Sequence, residues 1–281
     1  MRSDGFLETG GSLMALIDIE RLEREAESLA QTFASAHPFP HMVVEQFLHP
    51  EAAERLLQSY PAIEETTWDN STTYKHQKGK FVKQSIQGTP MAPFFEETAS
   101  PRLLDVLSRI TGIQQLEPDP ELFGAGLHQS LSGGFLDVHV DFNLHPTTQH
   151  YRRLNLLVYM NKEWQESYGG YLELWDMDKR QCVKSIAPLF NRAVLFETSE
   201  ISYHGHPHPL RLSHGVTRKS LSVYYYTVEK GERISPTFHN TRFQNTQGLA
   251  GAVKVAKSSV IAGLERLRGT GRDSRKERSA P

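Results

Sequence analysis

The chain has 281 residues, of which 38% are hydrophobic and 23% charged, so it can form a sizeable core and wholesale disorder is excluded. The formal net charge of −2 predicts no general attraction to nucleic acid or to an anionic membrane, and neither is expected as a partner. The single cysteine, Cys182, excludes an internal disulfide. Neither a secretory signal nor a membrane span is recognisable, so the sequence predicts a soluble protein of the cytoplasm.

Residues 1–36 are predicted to be a loose leader followed by a helix, and Met14 is a candidate translation start. The apolar residues of the helix recur at helical spacing, as Ile19, Leu22, Ala26, Leu29 and Phe33. Pro38 ends this helix, because proline lacks the backbone N–H and restrains the residue before it.

Residues 37–118 are predicted to form an α/β supporting region. The segment 41–48 has the composition of a strand, and Pro50 suits the first position of a short helix. Another helix is predicted from Ser100 to Gly112. The segment 68–90 has no clear period and is interpreted as loops and short strands.

Residues 119–232 consist of short β-rich runs separated by turn residues. The runs begin at Phe123, Leu136, Arg153, Tyr171, Ala193 and Ser220. Many short strands without intervening helices indicate a sandwich or barrel. An extension at residues 233–268 carries a predicted helix from Thr246, whose apolar stripe is ordinarily intramolecular packing, with a homodimer contact as the alternative. Residues 269–281 are a polar tail, expected to be flexible.

A histidine and an aspartate stand two residues apart, as His139-Val140-Asp141. In a strand such positions share one face, so the imidazole and the carboxylate project together. The pattern is common by chance, and a surface histidine near an aspartate is its ordinary interpretation. A histidine from a later strand would complete the two-histidine, one-carboxylate site of non-haem iron. His204 is the preferred candidate, and His206 is the alternative.

The segment that starts at Arg218 predicts a pocket with a positive charge at its end. By strand alternation, Arg218, Ser220, Ser222 and Tyr224 share one face. A buried arginine without an anion is costly, whereas a carboxylate bound through two hydrogen bonds removes that cost. The pattern therefore favours a ligand carboxylate at Arg218, with an exposed arginine at a strand start as the alternative.

Five blocks of sequence occur in a familiar order, GLHQSLSGGFLDVHVDF, RRLNLLVYMNKEW, GGYLELWD, FNRAVLFETSEISYHGHP and RKSLSVYYYT. From Leu127 to Thr227, a little over a third of the chain, the sequence resembles the prolyl-hydroxylase-like 2-oxoglutarate/iron(II)-dependent dioxygenase superfamily. The resemblance implies a mainly β protein with flanking α-helices. Its double-stranded β-helix (jelly-roll) core would be supported by N-terminal helices and a C-terminal helix.

The resemblance also implies individual roles. His139, Asp141 and His204 are expected to bind Fe(II) and to be catalytic, and Arg218 to bind 2-oxoglutarate. The residues expected to assist Arg218 at the co-substrate are Tyr159, Ser220 and Ser222. The candidates for substrate contact are Gln129, Asn143, Glu173 and Trp175; Gln129 stands where relatives often carry a tyrosine.

The activity implied is hydroxylation of an unactivated C–H bond with O2 and 2-oxoglutarate, releasing succinate and CO2, with ascorbate as a candidate reductant. A prolyl or other amino-acid residue is favoured, as a small molecule or in a peptide. A tailoring hydroxylase of a sugar, lipid or specialised metabolite is the alternative. A non-catalytic metal-binding jelly-roll sensor is a third hypothesis, but it has no need of Arg218.

Overall fold

A computed structural model describes residues 15–62 and 86–246, together with the backbone of residues 69–71 and 78–81. Within these residues, helices cover one face of the larger of two antiparallel sheets. The predicted leader, the helix predicted beyond Thr246 and the polar tail lie outside the described residues.

The helices of the described residues are α1 (Ile19–Ser35), α2 (Pro50–Gln58), α3 (Ala92–Thr98) and α4 (Pro101–Thr111). The side chain of Ser100 accepts a hydrogen bond from the Leu103 N–H and so caps α4, and Gly112 ends it with a positive φ of 74°. These ends agree with the sequence prediction, whereas α3 was not predicted. None of the helices in the described ranges is long and apolar enough to cross a lipid bilayer.

The larger sheet has the strand order β1-β10-β7-β12-β5-β3-β2, and β4 lies beside β12. Its strands are β1 (His41–Val44), β2 (Asp69–Ser71), β3 (Lys78–Phe81), β4 (Glu117–Pro118), β5 (Gly126–Ser130), β7 (Tyr151–Tyr159), β10 (Arg192–Glu197) and β12 (Arg218–Thr227). The smaller sheet has the order β13-β6-β11-β8-β9. Its strands are β6 (Leu136–Val140), β8 (Leu172–Asp176), β9 (Gln181–Ile186), β11 (Tyr203–His206) and β13 (Arg242–Phe243).

All six β-rich runs of the sequence analysis form strands, and the jelly-roll prediction is confirmed. The strand predicted over 41–48 ends at Val44, because the chain turns at the next two residues and Gln46 has a positive φ of 50°. The strands β9 and β13 were not predicted, whereas β11 is the later strand on which His204 was expected. β9 is mostly exposed and has no apolar alternation, and β13 has only two residues, too few for a period.

The two faces of the larger sheet have different surroundings. Leu221 and Val223 of β12 join the core beneath the helices. A second apolar cluster lies between the sheets and consists of Phe39, Tyr159, Leu172, Leu174, Ile186, Val194 and Phe196. Arg218, Ser220 and Ser222 alternate along β12 with Leu221 and Val223 and face the space between the two sheets. There they line a cavity of about 350 Å³. Strand alternation therefore separates the helix-supported core from the cavity.

Candidate active site

Two strands of the smaller sheet bring three candidate metal ligands together. His139 on β6 lies directly across from His204 on β11, and Asp141 follows the end of β6. Their potential ligand atoms all lie within 4.8 Å of one another, and all three residues are buried. The Nε2 atom of His139 is 3.5 Å from Oδ1 of Asp141, and that of His204 is 3.6 Å from Oδ2. The pairing of β6 with β11 thus produces the convergence that the sequence analysis required.

Backbone carbonyls orient both imidazoles. Nδ1 of His139 lies 2.8 Å from the carbonyl oxygen of Asp137, and Nδ1 of His204 lies 2.9 Å from that of Ser202. A carbonyl oxygen can only accept, so Nδ1 must donate in each case. In the neutral ring the lone pair is then on Nε2, the atom that faces the shared site. This is how metal-binding histidines are usually held.

The second oxygen of the Asp141 carboxylate is held by the protein. Oδ2 accepts a hydrogen bond of 2.8 Å from Nδ2 of Asn155 and lies 3.0 Å from Nη2 of Arg152. Arg152 is only 1% exposed, donates to Oδ1 of Asn155 at 2.9 and 2.7 Å, and stacks on the ring of Tyr224 at 3.4 Å. The carboxylate is therefore fixed in one orientation, with Oδ1 on the side of His139 and Oδ2 on the side of His204.

Burial and charge set the protonation states of two of these groups. Burial by itself would raise the pKa of Asp141, but the charge of Arg152, with His204 and His139, holds that pKa well below its usual value. Burial, followed by the neighbouring His139, lowers the pKa of His204 to about 4. At neutral pH these residues are an ionised carboxylate and a neutral imidazole, the forms that bind a metal ion.

Sequence reasoning missed Arg152, and the reason is a change of register. Alternation from Asn155 would place Arg153, rather than Arg152, on the cavity side. In the pairing of β7 with β12, however, Leu154 faces Tyr225 and Arg152 faces Tyr226, so Arg153 is an extra residue in the ladder. This irregularity turns Arg152 to the same side as Asn155. No signal in the sequence marks its position.

Arg218 forms another wall of the cavity. It is 7% exposed, its Nε donates to the carbonyl oxygen of Gly170 at 2.8 Å, and its Nη2 lies 3.5 Å from the hydroxyl of Tyr159. Among the described residues, no carboxylate forms an ion pair with Arg218. Gly170 has a positive φ of 67°, and a Cβ there would lie 2.3 Å from Leu210 Cδ2, so the turn that offers this carbonyl requires glycine.

Small polar side chains surround this guanidinium. β12 pairs with β5 so that Arg218 faces Ser130 and Ser220 faces His128. These residues line the cavity together with Ser222 and Tyr159. Burial raises the pKa of Tyr159, with Arg218 opposing that shift, so its hydroxyl is protonated at neutral pH. The structure therefore brings together the four residues that were expected at the co-substrate.

Three of the residues suggested for substrate contact point elsewhere. Gln129 lies on the opposite face of β5 and donates to the Pro61 carbonyl at 3.5 Å, because its neighbours on the strand take the cavity side. Glu173 and Trp175 hydrogen-bond to each other at 2.9 Å, while Leu172 of the same strand lines the cavity. None of the three lines the cavity, and sequence alone does not reveal which set of a strand's side chains faces inwards.

Asn143 does not line the cavity either, and its side-chain amide is fully engaged with the backbone of a later segment. Its Nδ2 donates to the carbonyl oxygens of Ser235 and Thr237 at 2.8 and 2.9 Å. Residues of this later segment line the cavity instead, namely Thr241 and Phe243. His206, the alternative metal ligand, lines the cavity without joining the three-residue cluster.

Two facing antiparallel sheets bring together a histidine on β6, an aspartate directly after it and a histidine on the neighbouring β11, the arrangement of a double-stranded β-helix whose three side chains could hold a non-haem metal ion. Residues 125–226 match the family model described as the 2OG-Fe(II) oxygenase superfamily, so this part of the chain is similar to that superfamily. The resemblance inferred from the five sequence blocks is thereby confirmed.

Comparison with curated proteins gives a relative for part of this domain. Prolyl 3-hydroxylase OGFOD1 of Mus musculus is 35% identical over 79 residues, which are 27% of this chain and 14% of the mouse protein. The chain therefore matches only a small part of that relative's length.

Solved structures agree on the fold. A prolyl hydroxylase from Trichoplax adhaerens, in complex with a peptide fragment of a hypoxia inducible factor oxygen degradation domain, matches with a TM-score of 0.56 and 16% identity. The match covers 74% of this chain and 91% of the other. A structure of prolyl 4-hydroxylases from Phytophthora capsici matches with a TM-score of 0.53 and 19% identity, over 77% and 67% of the two chains.

Proposed function

We propose that the protein is an Fe(II)- and 2-oxoglutarate-dependent dioxygenase that hydroxylates a prolyl residue of a peptide. The observation that carries the proposal is the convergence of two imidazole Nε2 atoms and one carboxylate beside a cavity walled by Arg218. The family match over residues 125–226 supports the same cofactors.

His139, Asp141 and His204 would hold the iron. Two nitrogen donors and one oxygen donor on one side of the ion leave its other positions for ligands, which is the donor set of this class of iron enzymes. The donor atoms are within 4.8 Å of one another, so a single ion can contact all three. When bound, the iron with 2-oxoglutarate and O2 supplies the oxidising power for C–H hydroxylation, and succinate and CO2 are released.

Arg218 would bind the carboxylate of 2-oxoglutarate that lies farther from the metal. Its guanidinium is buried, no described carboxylate neutralises it, and the hydroxyls of Tyr159, Ser220 and Ser222 line the same cavity. A buried cation without an anion is unfavourable, so this wall favours a dicarboxylate ligand. Gly170 directs the guanidinium by accepting from its Nε.

Arg152 and Asn155 would keep the iron-binding carboxylate in place. Both contact Oδ2 of Asp141, whereas Oδ1 lies 3.5 Å from Nε2 of His139, on the side of the proposed metal. One oxygen is then presented to the metal and the other is stabilised by the protein, which supports the ligand throughout turnover.

The choice of a prolyl residue rests on the named activity of the mouse relative, over its 79 matching residues. We infer a peptide rather than a free amino acid, because the cavity of about 350 Å³ is at the small end of ligand pockets and must also hold 2-oxoglutarate. One side chain of a longer substrate suits the remaining space. The single cysteine, which gives no internal disulfide, supports the further proposal of a cytoplasmic location.

The test is succinate release by the full chain, supplied with Fe(II), 2-oxoglutarate and ascorbate, across a panel of proline-containing peptides, free proline and glycosides. Mass spectrometry of the substrates should show the addition of one oxygen atom to a prolyl residue. Addition to a glycoside alone would replace the prolyl assignment. An absence of succinate with every substrate, from protein that contains iron, would contradict the dioxygenase itself.

A further inference from the structure

A segment outside the family match closes one side of the cavity. Residues 235–243, here called the C-terminal strap, follow the matched region, which ends at residue 226. The strap ends in β13, which pairs with β6 so that Phe243 lies opposite His139 and Arg242 opposite Val140. The backbone N–H of Gln244 continues this contact by donating to the Val138 carbonyl at 2.7 Å.

Asn143 is the first anchor of the strap. It donates to the carbonyl oxygens of Ser235 and Thr237, and its Oδ1 accepts from the backbone N–H of His239 at 2.9 Å. Three hydrogen bonds from one buried amide fix three strap positions, and each is made to backbone rather than to a side chain. Asn143 stands two residues after the candidate ligand Asp141.

Glu200 is the second anchor. Its carboxylate accepts from the backbone N–H of Ser235 at 3.2 Å, contacts Nε2 of His239 at 2.8 Å and pairs with Arg242. Glu200 stands four residues before the candidate ligand His204. Both anchors are therefore built on the chain segments that carry the metal ligands, so the position of the strap follows the position of the metal site.

The strap presents an aromatic ring to that site. Phe243 and Thr241 line the cavity, and the ring of Phe243 lies 5.2 Å from the imidazole of His139. Another phenylalanine of the strap, Phe238, is 49% exposed. The pairing of β13 with β6 involves only backbone and does not require a side chain to enter the cavity. The inward position of the Phe243 ring is therefore a separate feature of the strap.

We propose that Phe243 is a specificity-determining residue that forms the substrate-facing wall beside the metal, and that Asn143 and Glu200 are positioning residues that hold it there. The inference rests on the proposed function and adds a wall that comes from outside the residues matched to the family. An apolar ring suits the ring of a prolyl side chain and excludes water from the face of His139.

The first experiment compares Phe243→Ala with Phe238→Ala in the full-length enzyme. The Phe243→Ala variant should lower the ratio of hydroxylated peptide to succinate by roughly tenfold, less than the ~hundredfold loss for a reacting group moved by about 1 Å. Ascorbate supplies the two electrons of each uncoupled turnover. The KM for 2-oxoglutarate should stay unchanged, because Arg218 is intact. Phe238→Ala should behave as wild type, and Phe243→Leu should recover part of the coupling.

Asn143→Ala extends the comparison to the anchor. It removes no group from the cavity, yet it should reproduce the uncoupling of Phe243→Ala, again with an unchanged KM for 2-oxoglutarate. Equal coupling in wild type, Phe243→Ala and Asn143→Ala would overturn the proposal. The same loss in Phe238→Ala would also overturn it, because the effect would then be a general loss of strap structure.

A spectroscopic measurement separates this inference from the proposed function. The visible spectrum of Co(II) bound to the protein reports the surroundings of the metal without turnover. It should shift in Phe243→Ala and Asn143→Ala and remain as wild type in Phe238→Ala. A wild-type protein that binds Co(II) but never forms succinate would contradict the proposed dioxygenase activity. The Co(II) spectra would still test whether the strap forms a wall beside the metal. Identical spectra in the wild type and all three variants would overturn the proposed role of the strap.

Discussion

Two buried arginines face the same cavity and differ in what neutralises them. Arg152 lies 3.0 Å from the carboxylate of Asp141, donates twice to Asn155 and stacks on Tyr224. Arg218 contacts a backbone carbonyl and the Tyr159 hydroxyl, and no carboxylate of the described residues pairs with it.

The difference separates a cation that supports the protein from one that serves a ligand. Removing one partner of a buried ion pair leaves an uncompensated charge, so Arg152 and Asp141 depend on each other. A buried guanidinium without an anion gains most when a carboxylate arrives, so Arg218 is matched to a ligand that comes and goes. The following predictions test this division.

Asp141→Ala is expected to have the largest effect. It removes the oxygen ligand and leaves Arg152 buried without its anion, so oxygenation should be abolished and bound iron lost. Succinate release and the iron content of the purified variant are the measurements. Full turnover by this variant would contradict the assignment of Asp141 as a metal ligand.

Arg218→Met should sharply raise the 2-oxoglutarate requirement and leave bound iron in place. Losing a buried carboxylate partner of this kind costs ~3–5 kcal/mol, which corresponds to a change of at least about a hundredfold in the KM. The measurement is succinate release against 2-oxoglutarate concentration. An unchanged KM would show that another residue anchors the co-substrate.

Arg152→Met should instead lower the stability of the metal-free protein, by about 2–3 kcal/mol. This is less than the ~3–5 kcal/mol for a broken buried pair, because Asn155 still contacts the carboxylate, which can also take up a proton. Urea unfolding of both methionine variants, without metal or 2-oxoglutarate, measures the contrast. Arg218→Met should lose far less stability, and equal losses would contradict the division between the two arginines.

Arg102→Ala supplies the smallest expected effect and calibrates the other arginine variants. Its ion pair with Glu23 is short, at 2.6 Å, but the Arg102 side chain is 53% exposed. Exposed ion pairs contribute little to stability because water screens their charges, so the free energy of unfolding should barely change and succinate release should not change. A loss as large as that of Arg152→Met would mean that burial is not what distinguishes these pairs.

The sequence was most informative where one residue type and strand alternation act together. Alternation placed Arg218, Ser220 and Ser222 on one face, and a His-x-Asp pair with a later histidine marked the metal site. Prediction from the sequence failed where the pairing of strands that are distant in the chain decides which way a side chain faces. The irregular pairing of β7 with β12 turns Arg152 inwards, and the two-residue strand β13 delivers Phe243 from beyond the family domain. Gln129 was named for substrate contact but lies on the face away from the cavity, and a fully buried strand shows no contrast between its faces.

The most direct test of the account is a crystal structure of the full chain with Mn(II), which replaces Fe(II) without turnover, and 2-oxoglutarate. Anomalous scattering should place one metal ion in contact with Nε2 of His139, Oδ1 of Asp141 and Nε2 of His204. The far carboxylate of 2-oxoglutarate should lie against the guanidinium of Arg218. A metal bound elsewhere, or 2-oxoglutarate bound without contact to Arg218, would contradict the account.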